Sequence, residues 1–168
     1  MKVQIAGIVK ESVTDGSGIR TTIFFQGCDH HCPGCHNPHT WAFNGGYSIE
    51  IDELLAQIPF SPLLKGITLS GGDPIYQPEA AAAIARECKK RDKDVWIYTG
   101  FTWEQLMSEN KPGCMDLLKS CDVLVDGPYV QSLSCFNLPF RGSSNQRLID
   151  VTESIRTGTI SEIQINLP

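Results

Sequence analysis

Four short apolar runs recur along the chain, Thr21–Phe25, Gly66–Ser70, Val95–Tyr98 and Val123–Val125, with helical patterns between them. Ile51, Leu54, Leu55 and Ile58 fall at i, i+3, i+4 and i+7. Ala81, Ile84, Ala85 and Cys88 repeat that spacing, as do Cys114, Leu117, Leu118 and Cys121. It places each set on one face of a helix. Pro59 and Pro62 stop the first of these helices, and Thr102-Trp103-Glu104-Gln105 is a capping box that opens another. Strands that alternate with amphipathic helices make a parallel sheet with helical crossovers. A closed eight-unit barrel takes about 250 residues, and this chain has 168. The pattern therefore predicts an α/β fold, a single-domain partial (open) β/α barrel over 1–168 with a mostly parallel sheet. The segment Ser132–Asp150, rich in Ser, Asn and Arg, reads as irregular. Ile163 and Ile165 alternate with polar residues, as in a last half-buried strand.

In such folds function sits beyond the C-terminal ends of the strands. Four polar segments follow strands directly: the loop after Phe25, Ser70-Gly71-Gly72-Asp73, Thr99-Gly100 and Asp126-Gly127. Ser70, Gly71, Gly72, Asp73, Thr99 and Asp126 are thus brought to one end of the sheet as candidate functional groups.

The loop after Phe25 carries Cys28-Asp29-His30-His31-Cys32-Pro33-Gly34-Cys35, a Cys-x3-Cys-x2-Cys spacing. Three thiolates held close together bind iron, and three ligands leave one corner of a four-iron cluster open. Cysteine thiolates are the usual ligands of such clusters. Zinc is the rival, because Cys32, Cys35, His36 and His39 offer four nominal ligands. Closed zinc sites, however, separate two ligand pairs by a dozen or so residues, and His36 abuts Cys35. The histidines His30, His31, His36 and His39 read as pocket lining or surface groups. Cys88, Cys114 and Cys121 lie on apolar helical stripes and read as small buried hydrophobes. Cys135 has no such assignment.

Seven cysteines beside an N-terminal stretch broken by Gln4 and Lys10 predict metal chemistry in the cytoplasm, not a disulfide framework after export. No apolar run approaches the roughly 20 residues that span a membrane. A net charge of -5 with no basic block argues against nucleic acid as a partner.

The cysteine motif, followed by Ser70-Gly71-Gly72-Asp73-Pro74 beyond a later strand, resembles the radical S-adenosylmethionine enzymes. That resemblance implies one 4Fe-4S cluster on Cys28, Cys32 and Cys35, with S-adenosyl-L-methionine on its open iron and the glycine-rich segment against the amino group of that cofactor. Many relatives place an aromatic residue before the third cysteine. Here it is Gly34, so the backbone from Gly34 to His36 takes over the adenine contact. Asp73 stands where relatives more widely have glutamate.

Asp15-Gly16-Ser17-Gly18-Ile19-Arg20, Asp126-Gly127-Pro128-Tyr129 and Phe140–Arg147 narrow the resemblance to the glycyl-radical activating enzymes, in the branch serving anaerobic ribonucleoside-triphosphate reductase. It spans residues 10 to 150. It implies reductive cleavage of S-adenosylmethionine to a 5′-deoxyadenosyl radical, which takes a hydrogen from a glycine of the reductase large subunit. A low-potential donor such as flavodoxin would supply the electron. Asp126 would help bind a monovalent cation near the cofactor, and Arg141 and Arg147 would receive the partner. The alternatives are an activase of the pyruvate formate-lyase type and a non-catalytic zinc-binding module.

Overall fold

The computed structural model describes residues 1–109 and 111–165. Seven strands form one sheet: β1 (Lys2–Ser12), β2 (Ile19–Phe25), β3 (Tyr47–Glu50), β4 (Leu64–Gly71), β5 (Asp94–Tyr98), β6 (Val123–Asp126) and β7 (Arg147–Asp150), in the order β3-β1-β2-β4-β5-β6-β7. The strands β2, β4, β5 and β6 run parallel. Their crossovers carry the helices α1 (Ile51–Ala56), α2 (Pro78–Lys89), α3 (Trp103–Glu109) and α4 (Cys114–Lys119). β1 pairs antiparallel with β2 and β3, and β7 pairs antiparallel with β6. The sheet ends in two edges, β3 and β7, so the barrel is open as the chain length predicts.

Side chains of a strand alternate between faces, and here the two faces differ in chemistry. Ile23, Phe25, Ile67, Leu69, Val95, Ile97 and Leu124 are buried against the helices. Ala81, Ile84, Ala85 and Cys88 of α2 and Leu117 and Leu118 of α4 meet them. Arg20, Thr22, Thr68, Trp96 and Tyr98 occupy the alternate, concave face. There Trp96, Val123, Val125 and Leu148 form a second, smaller apolar cluster with Tyr98 and Phe140. A buried guanidinium needs full hydrogen bonding. Arg20 donates to Thr68 Oγ1 at 2.8 Å and to the Ile67 and Ser17 carbonyls, and it pairs with Asp94. This joins the Asp15–Arg20 segment to the β4–β5 floor.

The capping box at Thr102 forms as expected: Thr102 N–H donates to Gln105 Oε1 at 2.8 Å, and Gln105 N–H to Thr102 Oγ1 at 3.3 Å. Two readings of the sequence need correction, and one strand was not anticipated. The N-terminal eleven residues after Met1 form β1, the longest strand. The segment expected to be irregular ends in β7 and leads into α5 (Val151–Thr157), capped by the Asp150 carboxylate on Glu153 N–H and ended by Gly158 at φ 70. The last strand expected around Ile163 is reduced to an isolated Ile149–Glu162 bridge and one bond from Ile163 N–H to Leu148. No helix among the described residues is long and apolar enough to cross a membrane.

Candidate active site

The cysteine loop grows out of β2 through Gly27, whose φ of +102° suits only glycine. Two backbone bonds close its neck: Gly27 N–H to Thr40 O at 2.8 Å and Cys28 N–H to Trp41 O at 3.0 Å. Inside the loop, Cys35 N–H reaches back to Cys32 O at 3.0 Å, a tight turn that Gly34 permits at φ +76°. Cys28 is buried, Cys32 and Cys35 are half-buried, and all three line one pocket. Its far wall is Ser70, Gly71, Gly72, Thr99 and Gly100, the ends of β4 and β5, with Gly127 and Tyr129 closing the side. The expected convergence of strand ends on the cysteine loop is therefore present.

All seven cysteines are unpaired. Burial pushes the Cys28 thiol up to about 11, against the opposing backbone N–H of His30, and burial also raises Cys32. The fold alone thus keeps these thiols protonated, and a metal must displace the protons, as coordination does outright. Around a single zinc ion each sulfur lies about 2.3 Å from the metal. Among the described residues no group of three His, Cys, Asp or Glu side chains gathers that tightly. Three soft donors lining one pocket are the donor set that an iron–sulfur cluster would take.

That wall is glycine because nothing larger fits. A Cβ on Gly71 would lie 2.6 Å from Phe25 N, and one on Gly72 would lie 2.5 Å from Gly27 O. The same backbone contact zone carries the bonds Gly72 N–H to Phe25 O at 2.7 Å and Asp73 N–H to Gly27 O at 3.0 Å. The end of β4 is laced to the neck of the cysteine loop.

The remaining expected residues separate into two groups. Thr99 and His36 line the pocket, the His36 ring lying 4.9 Å from that of Tyr129. Gly34 instead faces Gln131. The Asp73 side chain is fully buried behind the pocket wall. Asp126 is also buried, but its carboxylate turns away. It accepts from Trp103 N–H at 2.7 Å and from Arg147 Nε at 3.0 Å and Nη2. The expectation of a pocket-facing Asp126 is corrected: the N-terminus of α3 and a cation on β7 compete for it. Arg147, expected on a docking surface, is the partner that holds it.

Sequence reasoning missed Tyr98, Tyr129, Asn37, Trp41 and Gln146, all of which line the pocket. Tyr98 was findable, because it alternates with Ile97 and ends a strand. Gln146 lies in the Phe140–Arg147 motif, but with its segment read as irregular nothing placed it at the pocket. That segment is in fact pinned: Gln146 Oε1 accepts from Gly142 N–H at 2.8 Å and its Nε2 donates to Gly127 O at 3.0 Å. A neighbouring cavity on the concave face shares His36, Ser70, Tyr98, Tyr129 and Gln146 with this pocket and reaches Asp15 and Gly142. The cysteine pocket opens into the hollow of the half barrel.

Comparison with known proteins agrees with this geometry. Residues 14–149 match a family described as a 4Fe-4S single cluster domain. The anaerobic ribonucleoside-triphosphate reductase-activating protein of Salmonella typhi is 38% identical over 144 residues, covering 80% of this chain and 90% of that one. The protein of that name from Escherichia coli K12 is 36% identical over 144 residues, with the same coverage. That of Enterobacteria phage T4 is 34% identical over 147 residues, covering 84% of this chain and 90% of its own.

Proposed function

This chain belongs to the family of anaerobic ribonucleoside-triphosphate reductase-activating proteins and to the 4Fe-4S single cluster domains, and from that premise we propose that it is a radical S-adenosylmethionine activase working as one domain in the cytoplasm. Its target is a glycine of the reductase large subunit, and a low-potential donor such as flavodoxin feeds it single electrons. Cys28, Cys32 and Cys35 hold the cluster. Backbone groups of Ser70, Gly71 and Gly72 face the methionine end of the cofactor, Thr99 lies beside them, and the Gly34–His36 stretch with Tyr129 borders the adenine side.

When bound, a reduced cluster and S-adenosylmethionine would supply the chemistry: one-electron cleavage of a carbon–sulfur bond, with methionine, 5′-deoxyadenosine and a glycyl radical on the partner as the products. The protein supplies placement and exclusion of water. The absence of Cβ atoms at Gly71 and Gly72 lets the end of β4 lie against the neck of the cysteine loop, and that packing brings the wall and the three cysteines to one pocket. The open sheet and the hollow beside Tyr98, Tyr129 and Gln146 would leave the pocket accessible to a peptide segment.

The observation that carries this reading is the meeting of three unpaired cysteines and the Gly71–Gly72 wall in one pocket. Its test is electron paramagnetic resonance. Anaerobically reconstituted protein, reductant, S-adenosylmethionine and the reductase large subunit together should yield a glycyl-radical doublet on the large subunit. Protein that binds no iron, or iron-loaded protein that cleaves the cofactor with no radical on the reductase, overturns it.

A further inference from the structure

His30 lies two residues from Cys28 and two from Cys32, in the middle of the loop expected to hold the cluster. Its Nε2 is 2.9 Å from Asp73 Oδ2. The same oxygen accepts from Thr99 Oγ1 at 2.8 Å and from Gly100 N–H at 2.9 Å, and Oδ1 accepts from Ile75 N–H at 2.9 Å. A carboxylate offers about four lone-pair sites. Asp73 has four donors, three of them on one oxygen, and its side chain is 0% exposed. Oδ2 is fully engaged, and the site left on Oδ1 lies on a side chain that is closed off from the pocket, out of reach of a bound cofactor's ammonium.

The packing points the same way. The His30 ring meets the Phe101 ring edge-on at 4.6 Å between centroids and approaches Tyr76 at 6.1 Å. A Cβ on Gly100 would overlap the His30 ring, so glycine at 100 is what lets the imidazole seat. One buried carboxylate thereby joins three separate pieces of chain: the turn after β4, the end of β5, and the centre of the cysteine loop.

We propose that Asp73 is a positioning residue that acts through His30, clamping the cysteine loop to the ends of β4 and β5 and so fixing where Cys28 and Cys32 present their sulfurs, without itself touching the cofactor. The proposal rests on the cluster reading above for its consequence. The clamp itself is a property of the polypeptide. It assigns to the acidic residue of the Gly-Gly-Asp run a structural partner in place of the ligand contact that its position in the motif suggests.

The test uses the full chain with Asp73→Asn, His30→Ala, the double variant, and His30→Gln, which restores an N–H donor. The first readout is amide hydrogen exchange of residues 28–35 in cluster-free protein. The second is the half-time of iron loss to an anaerobic chelator after reconstitution, with S-adenosylmethionine affinity as a third. A hydrogen bond to a charged group accounts for about a tenfold effect or more. Each single variant should therefore speed exchange and iron loss by about tenfold, and the double variant should do no worse than the stronger single, as partners in one interaction do. His30→Gln should recover most of the loss. Weakened cofactor affinity in Asp73→Asn with wild-type exchange, or effects that multiply in the double variant, overturns the clamp. If Asp73→Asn does not fold, the comparison of His30→Ala with His30→Gln decides alone. If wild-type protein takes up no iron, the cluster reading fails and the exchange data still judge the clamp.

Discussion

Arg147, the first residue of β7, stands directly opposite Asp126, the last residue of β6, in the antiparallel register and closes a forked ion pair onto its carboxylate. The carboxylate is 1% exposed and the guanidinium side chain 26% exposed. The second arm of Arg147 reaches the exposed Glu104 at the start of α3, at 2.8 and 3.0 Å. One side chain therefore joins the edge strand β7, the buried end of β6 and the first turn of α3.

Arg147→Ala should destabilise the protein by about 3 kcal/mol, because it strands a buried carboxylate without its cation. Arg147→Lys should recover only part, since an ammonium cannot fork across both oxygens. Urea midpoints at pH 7 check both. A midpoint for Arg147→Ala within error of wild type would show that Trp103 N–H alone satisfies Asp126.

The same contact predicts an acid limb. Its hydrogen bond to Arg147 holds the Glu104 carboxyl at about 2, well below its ordinary value. A depressed folded-state value contributes stability that is present above the unfolded value of about 4.3 and is lost as pH falls toward 2. The contribution is small, because Glu104 is exposed and screened. Denaturation midpoints between pH 5 and pH 2.5 should fall less steeply in Glu104→Gln than in wild type. An identical slope would mean the pair is not formed in solution.

The parallel half of the fold was legible because its strands and helices carry opposite periodicities. Ile67 and Leu69, Val95 and Ile97, and the stripe Cys114–Leu117–Leu118 each bury one side. The antiparallel flanks were not. β1 alternates Val3 and Ile5 inward, but Ala6–Ile8 are half-buried and Val9–Glu11 exposed, so the alternation fades along the strand. β7 is four residues long and is specified by register against β6 and by Arg147, which no local pattern announces. The cysteine loop and the Gly71–Gly72 wall were legible because metal ligation and close backbone approach each demand particular residue types. Asp126 misled because an acidic residue ending a strand has two destinations, and only the placement of Arg147 selects between them.

Gly72 offers a steric test of the pocket wall. An added Cβ would meet two backbone oxygens, Gly27 O at 2.5 Å and Thr40 O at 3.0 Å, and backbone cannot rotate aside. Both oxygens belong to the neck of the cysteine loop. Gly72→Ala should therefore cost about 2 kcal/mol and lower iron uptake together, read by melting temperature and iron per chain. Gly7 in β1 is the control: a Cβ there meets nothing within 4 Å. Gly7→Ala should leave iron uptake unchanged and stabilise slightly, as glycine weakens a strand interior.

The cysteines divide by environment, and substitution should divide them the same way. Cys28, Cys32 and Cys35 face a pocket, whereas Cys88 is fully buried in α2, where burial pushes its thiol up to about 12. A thiol so reluctant to ionise in an apolar core is packing, not ligand. Alanine at 28, 32 or 35 should each leave a folded protein that cannot retain four irons after anaerobic reconstitution and cannot cleave S-adenosylmethionine. Cys88→Ala removes one sulfur from a closed core, so about 1 kcal/mol of stability should go while iron content and cofactor cleavage stay at wild-type levels. Iron per chain, the visible absorbance of the cluster and urea midpoints separate the two classes in one set of samples. A folded Cys88→Ala protein without iron would move a cluster ligand from the pocket to the far side of the sheet, and the cysteine loop would then need another explanation.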